Sequence, residues 1–158
     1  MISIMADDYA GKCKEAGAIH IGFRTTLRLR DPAGLAVSST KVLISLKAER
    51  RIINIDISSG NSRVLAECPL ELSYLHFNTD RTLLYMTMKS AIGVYNLSDA
   101  DPQVTILEGY QVSNSDGMST NMEVDGPSDL VLLDDRTLLV ADKKNYRSIK
   151  LCHSSLKN

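Results

Sequence analysis

One short phrase is written twice in this chain: Asp80-Arg81-Thr82-Leu83-Leu84 returns as Asp135-Arg136-Thr137-Leu138-Leu139, and Thr40-Lys41-Val42-Leu43-Ile44 occupies the same place further upstream. Recurrence restricts a chain to architectures in which each unit buries its apolar face only against its neighbours. The surroundings of the three copies agree. A proline stands shortly before each, at Pro32, Pro69 and Pro127, and is followed by a strand-like run: Leu35 to Val37, Leu72 to Phe77, and Leu130 to Leu133. After each copy come a polar hairpin and a third run, Arg51 to Ile57, Ile92 to Leu97 and Arg147 to Leu151. In the first two copies a fourth run follows a turn, at Arg63 to Ala66 and Val104 to Leu107. Apolar or β-branched runs of about 4 to 8 residues, cut by Asp, Gly, Pro and Asn, are the signature of strands and hairpins.

Four strands per unit at a period of about 40 residues is the arithmetic of a propeller blade. The expected fold class is all-β, a partial β-propeller of antiparallel four-stranded blades. The sequence divides as one partial propeller over 1–158: a leading outer strand and inter-blade loop at 1–30, blades at 31–66 and 69–107, an inter-blade loop at 108–125, and an incomplete third blade at 126–152. Met1 to Met5 is placed as the outer strand of an earlier blade, and Gly11, Gly17 and Gly22 argue against a long helix over 11–21. An open arc leaves an unpaired edge and an uncovered blade face. The chain is therefore expected to be a fragment of a longer protein, the other arrangement being a half-propeller completed by a second chain.

The third copy carries a further resemblance. Gly126-Pro127-Ser128-Asp129-Leu130-Val131-Leu132, Leu138-Leu139-Val140-Ala141-Asp142 and Asn145-Tyr146-Arg147 resemble the GP turn, LYVAD-like strand and N-H-R-I corner of NHL-repeat β-propellers, with Tyr146 where the family often has His and Ser148 where Ile is usual. Asp31-Pro32-Ala33-Gly34-Leu35-Ala36-Val37 with Arg51-Ile52, and Val104 to Gly109 followed by Asp116-Gly117, are similar to other parts of that pattern. The middle copy is degenerate, with neither the VAD triplet nor the N-x-R corner. The resemblance implies a scaffold of about six blades. Its known activities range from protein binding to RNA binding and metal-dependent lyase or hydrolase chemistry, and no catalytic residue carries over, because no position here matches such a motif.

Composition narrows the partners. A formal net charge of −1, with 44% hydrophobic and 23% charged residues, gives no electrostatic ground for nucleic acid or an anionic membrane as the main partner. Cys13, Cys68 and Cys152 are odd in number and widely spaced, so free thiols are expected, with a Cys13–Cys152 or Cys68–Cys152 bridge as the alternative. Met1 to Ala6 runs into Asp7-Asp8 without a basic start or a long apolar region, and no run approaches the ~20 apolar residues of a membrane span, so a cytoplasmic location is favoured.

His20, His76 and His153 have no metal-ligand spacing, and His76 reads as a core or groove residue. Asp134-Asp135 reads as turn chemistry. No GxSxG, GxGxxG or GxxxxGK[ST] phrase is present. No cofactor and no metal is expected.

These readings favour a non-catalytic scaffold that meets a protein partner on its loop-bearing side. The candidate surface is Arg50 and Arg51 in the first hairpin, Lys143, Lys144 and Arg147 in the third, and Tyr110 and Asp116 in the long loop. The two basic hairpins are expected to share a rim, which keeps RNA binding open as a lesser alternative, as the resemblance keeps an enzymatic one.

Overall fold

The computed structural model describes Gly22 and residues 27–109, 123–134 and 137–152. Among these residues there is no helix; eleven strands make three antiparallel sheets, each formed by strands in simple succession. The first sheet is β1 (Pro32–Val37), β2 (Lys41–Leu46), β3 (Arg51–Asp56) and β4 (Ser62–Glu67). The second is β5 (Leu72–Phe77), β6 (Leu83–Met88), β7 (Ala91–Asn96) and β8 (Val104–Gly109). The third is β9 (Pro127–Asp134), β10 (Thr137–Asp142) and β11 (Arg147–Cys152). This is the partial propeller-like arrangement expected from the repeat. The expected strand at 1–5, the segment 11–21 and most of the loop at 108–125 lie outside the described residues.

Local chemistry sets the strand ends. β1 and β9 begin on Pro32 and Pro127, where a missing amide hydrogen costs the ladder nothing. β3 stops at Asp56, one residue before the expected Ile57, because Asp56 Oδ1 accepts from the Ser58 and Ser59 hydroxyls at 2.6 and 2.9 Å and from the Ser59 amide at 2.7 Å. That closes an Asp-led turn. Asp80 does the same before β6, accepting from the Thr82 hydroxyl at 2.6 Å and its amide at 3.0 Å.

Each second strand pairs with its third through one closing pair: Leu46 opposite Arg51, Met88 opposite Ala91, and Asp142 opposite Arg147. These pairs put the three sheets in a common frame, so a position in one can be compared with its counterparts in the others. The hairpins inside the pairs differ. Lys89-Ser90 is a two-residue turn, whereas 47–50 and 143–146 each end on a left-handed residue, Arg50 at φ 54 and Tyr146 at φ 53.

The sheets stack through alternating faces of their strands. Ala36, Leu43 and Ile52 of the first sheet meet Leu72, Leu75, Leu84, Met86 and Met88 of the second. Tyr85, Ile92 and Val94 on the other face of the second meet Leu130, Leu138, Val140 and Ile149 of the third. A third cluster, Val42, Ile44, Leu46, Ile53 and Ile55, lies on the outer face of the first sheet under Leu27.

The first strands of the sheets run side by side, β1 against β5 and β5 against β9. Gly34 permits the closest approach, since a Cβ there would sit 2.5 Å from the Ser73 carbonyl oxygen. The buried Ser45 hydroxyl lies 3.2 Å from that same oxygen and 3.4 Å from the Gly34 carbonyl, tying the two sheets together.

Candidate functional site

In the common frame, the residue after each second strand is a lysine. Lys47 follows Leu46, Lys89 follows Met88 and Lys143 follows Asp142. Backbone hydrogen bonds hold each hairpin against the connector that enters its own sheet. The Lys47 amide donates to the Asp31 carbonyl at 2.9 Å and the Lys89 amide to the Glu71 carbonyl at 2.8 Å. In the third sheet a bulge between Ala141 and Asp142 moves the bond on by one residue, so that the Lys144 amide donates to the Asp125 carbonyl at 3.2 Å. The Gly126 amide donates to the Lys89 carbonyl at 3.0 Å and links the second sheet to the third.

The result is one cleft of about 430 Å³ lined by Lys47, Lys89, Lys143 and Lys144, with Ser73 and Ser128 as hydroxyl donors and Glu71 as its acidic member. Lys144 is held in place, its Nζ 2.9 Å from Asp125 Oδ1. Among the described residues Lys47, Lys89 and Lys143 are in no ion pair. Gly126, at φ +64, lets the Lys144 side chain lie over the backbone, where a Cβ would come within 3.1 Å of its Cγ. Ammonium groups on exposed, rotatable stems around a concavity attract anions and adapt to their shape, and salt screens that attraction.

Of the residues chosen from sequence, Lys143 and Lys144 line the cleft. Arg50 and Arg51 do not line it: Arg50 Nη1 donates to the Pro69 carbonyl at 3.2 Å, and Arg51 pairs with Glu67 at 2.8 Å across β3 and β4. Arg147 is a structural residue, its Nε donating to the fully buried Asp142 carboxylate at 3.0 Å and its Nη2 to the Glu123 carbonyl at 2.6 Å. In the common frame the two basic hairpins occupy equivalent places, following Leu46 and Asp142. The counterpart of Lys143 is Lys47, and the counterpart of Arg147 is Arg51. Tyr110 and Asp116 lie outside the described residues.

Lys47 and Lys89 were not visible as a set because the hairpins that carry them differ in length. The signal was present as a lysine directly after each central strand.

The Asp142 carboxylate organises the corner beside the cleft. Besides Arg147 it accepts from Asn145 Nδ2 at 2.9 Å and from the Asp125 amide at 2.9 Å. The same closing pair is Leu46 with Arg51 in the first sheet and Met88 with Ala91 in the second, so the polar corner belongs to the third sheet alone among the described residues.

Elsewhere, His76 stacks on Tyr74 with ring centroids 6.5 Å apart. Cys68 is buried and Cys152 exposed, and both are free thiols, which removes the Cys68–Cys152 bridge. Burial, with a contribution from the Glu67 charge, pushes the Cys68 thiol up to about 12. Among the described residues no three His, Cys, Asp or Glu side chains are grouped so as to hold a metal ion, and no helix is long and apolar enough to cross a membrane.

No family model and no curated protein matches this chain. Solved structures do. An auxiliary nutrient binding protein from Bacteroides thetaiotaomicron is similar at a TM-score of 0.58 and 14% identity, covering 71% of this chain and 31% of its own. A structural-genomics protein of unknown function from the same organism is similar at a TM-score of 0.51 and 13% identity, covering 92% of this chain and 47% of its own. At these identities the likeness is one of fold, and the chain spans less than half the length of either neighbour.

Proposed function

We propose that this chain is a non-catalytic section of an NHL-type propeller that serves as a rigid binding platform, and that its partner is a protein presenting acidic side chains to the lysine cleft. The observation that carries this reading is the recurrence of Lys47, Lys89 and Lys143 at one backbone position of three successive sheets around a single cleft. Solvated lysines scattered on a surface have no reason to share a register. Sheets stacked through apolar cores fix the spacing of the hairpins that bear them, so the entropy lost on binding is confined to the side chains. The Asp142, Asn145 and Arg147 corner supports the NHL assignment, because it gives the VAD and N-x-R phrases a shared structural task.

A fluorescein-labelled oligo-glutamate peptide is the simplest probe. Fluorescence anisotropy should show saturable binding that weakens by an order of magnitude or more between about 50 and 300 mM salt, as screening of exposed charge requires. Absence of binding at the lower salt, or equal or tighter binding of a single-stranded RNA of the same length, would count against the reading.

A further inference from the structure

The connectors that receive the three hairpins each place an acidic residue at the receiving carbonyl: Asp31 for Lys47, Glu71 for Lys89 and Asp125 for Lys144. The three acids are used differently. Asp31 does not line the cleft. Asp125 is taken by Lys144, whose Nζ lies 2.9 Å from its Oδ1. Glu71 lines the cleft, half-buried, and among the described residues its carboxylate is in no ion pair. Other carboxylates at this end of the sheets have a cation: Glu49 has Arg30 at 3.5 Å, Glu67 has Arg51 at 2.8 Å and Asp142 has Arg147 at 3.0 Å. Glu71 is thus an open acceptor in a cleft of four lysines. Its place is central, because it leads into β5, which runs between β1 and β9, so the hairpins of Lys47 and Lys143 stand on either side. The fold does not call for a carboxylate there, since it is the Glu71 carbonyl that receives Lys89.

That placement bears on what the cleft accepts. A ligand that is negative along its whole length gains from the lysines at its flanks and meets a like charge at its centre. A ligand with a cation between its anions gains in both places. Guanidinium suits the centre better than ammonium, because its planar fork gives a carboxylate two parallel hydrogen bonds and leaves donors for the Ser73 hydroxyl, which also lines the cleft. We propose that Glu71 sets the specificity of the cleft, and that the partner's acidic segment carries an arginine between its acidic residues, seated on Glu71. The inference rests on the lysine-cleft reading above and narrows its partner from any acidic segment to one with a central arginine.

Anisotropy at about 50 mM salt tests this with two kinds of fluorescein-labelled peptide: oligo-glutamate, and a set in which arginine replaces each glutamate in turn. Wild type should favour arginine at one inner position over the other positions by about three- to fivefold, the scale of a solvated ion pair, although lost negative charge at an inner position would otherwise weaken binding most. Glu71→Gln should tighten oligo-glutamate by about twofold or more and abolish the positional preference. Asp101→Asn makes the same change in net charge outside the cleft and should leave the preference in place. Glu71→Ala serves the same end should the glutamine variant lose its β-type circular dichroism spectrum. No preferred inner position, a preference that survives in Glu71→Gln, or weaker oligo-glutamate binding by that variant would each overturn the proposal and leave the lysine reading standing. Failure of every peptide to bind wild type would overturn both.

Discussion

Asp142, with no exposed side-chain surface, accepts a hydrogen bond from Arg147 Nε at 3.0 Å directly across the β10–β11 pair. Removing one member of a buried pair strands the other, which costs about 3–5 kcal/mol. Asp142→Ala should therefore lower stability by about that amount in urea unfolding. The second sheet shows an apolar solution at the same pair, Met88 opposite Ala91. The double variant Asp142→Met/Arg147→Ala should accordingly recover most of the loss. Equal losses in the single and double variants would show that the carboxylate's other contacts, to Asn145 and the Asp125 amide, dominate.

Asn54 offers the opposite experiment. It is 5% exposed in β3, and among the described residues its buried Oδ1 has no hydrogen-bond partner. Its counterpart in the second sheet, read from the pairs Leu43 with Asn54 and Tyr85 with Val94, is a valine. An unsatisfied buried acceptor costs about 1–3 kcal/mol, so Asn54→Val should raise stability by about 1–2 kcal/mol, seen as a higher urea midpoint at constant slope.

The Asp56 turn makes a prediction about acid. The Ser58 hydroxyl, followed by the Ser59 amide, holds the Asp56 carboxyl down at about 2, against an ordinary 3.8. Its folded pKa lies below its unfolded one, so its contribution is present above pH 3.8 and is lost as pH falls towards 2. Asp80, lowered by the Thr82 hydroxyl and amide, acts in the same direction. Asp56→Asn/Asp80→Asn should flatten the fall in melting temperature between about pH 4 and 2 relative to wild type. A parallel fall in both proteins would show that these turns do not contribute to acid sensitivity.

The two described thiols should differ in reactivity. In a Cys13→Ser background at pH 8, Cys152 should react with an aromatic disulfide reagent within minutes, being exposed. Cys68, buried and pushed up to about 12, should react only once denaturant is added. One thiol equivalent released before denaturation and a second after it is the expected count. Two before would mean that the core between the first and second sheets opens readily.

Sheet positions were legible in the sequence because short apolar runs and Pro, Asp and Gly punctuation are local signals. Leu83 to Met86 and Leu138 to Ala141 announce their strands without help from anything distant. The site was half legible. Lys143 and Lys144 stood out as a doublet, but Lys47 and Lys89 are single lysines whose meaning comes only from the register of β2 on β3 and β6 on β7. Arg147 misled for the converse reason. Its charge is conspicuous in sequence, while its partner Asp142 becomes a buried acceptor only once β10 and β11 pair. Arg51 likewise looked available until β4 brought Glu67 to within 2.8 Å of it.

The central claim is that the position of the three lysines matters, and not merely their charge. Two variants with the same change in net charge separate these alternatives: Lys47→Gln/Lys89→Gln/Lys143→Gln within the cleft, and Lys41→Gln/Arg63→Gln/Lys150→Gln outside it. Measured by anisotropy with the oligo-glutamate peptide at about 50 mM salt, the first should weaken binding at least tenfold and the second less than twofold, because exposed charges more than a Debye length of about 10–15 Å away are screened. Equal weakening by the two variants would contradict the account and reduce the cleft to one part of a diffuse positive surface.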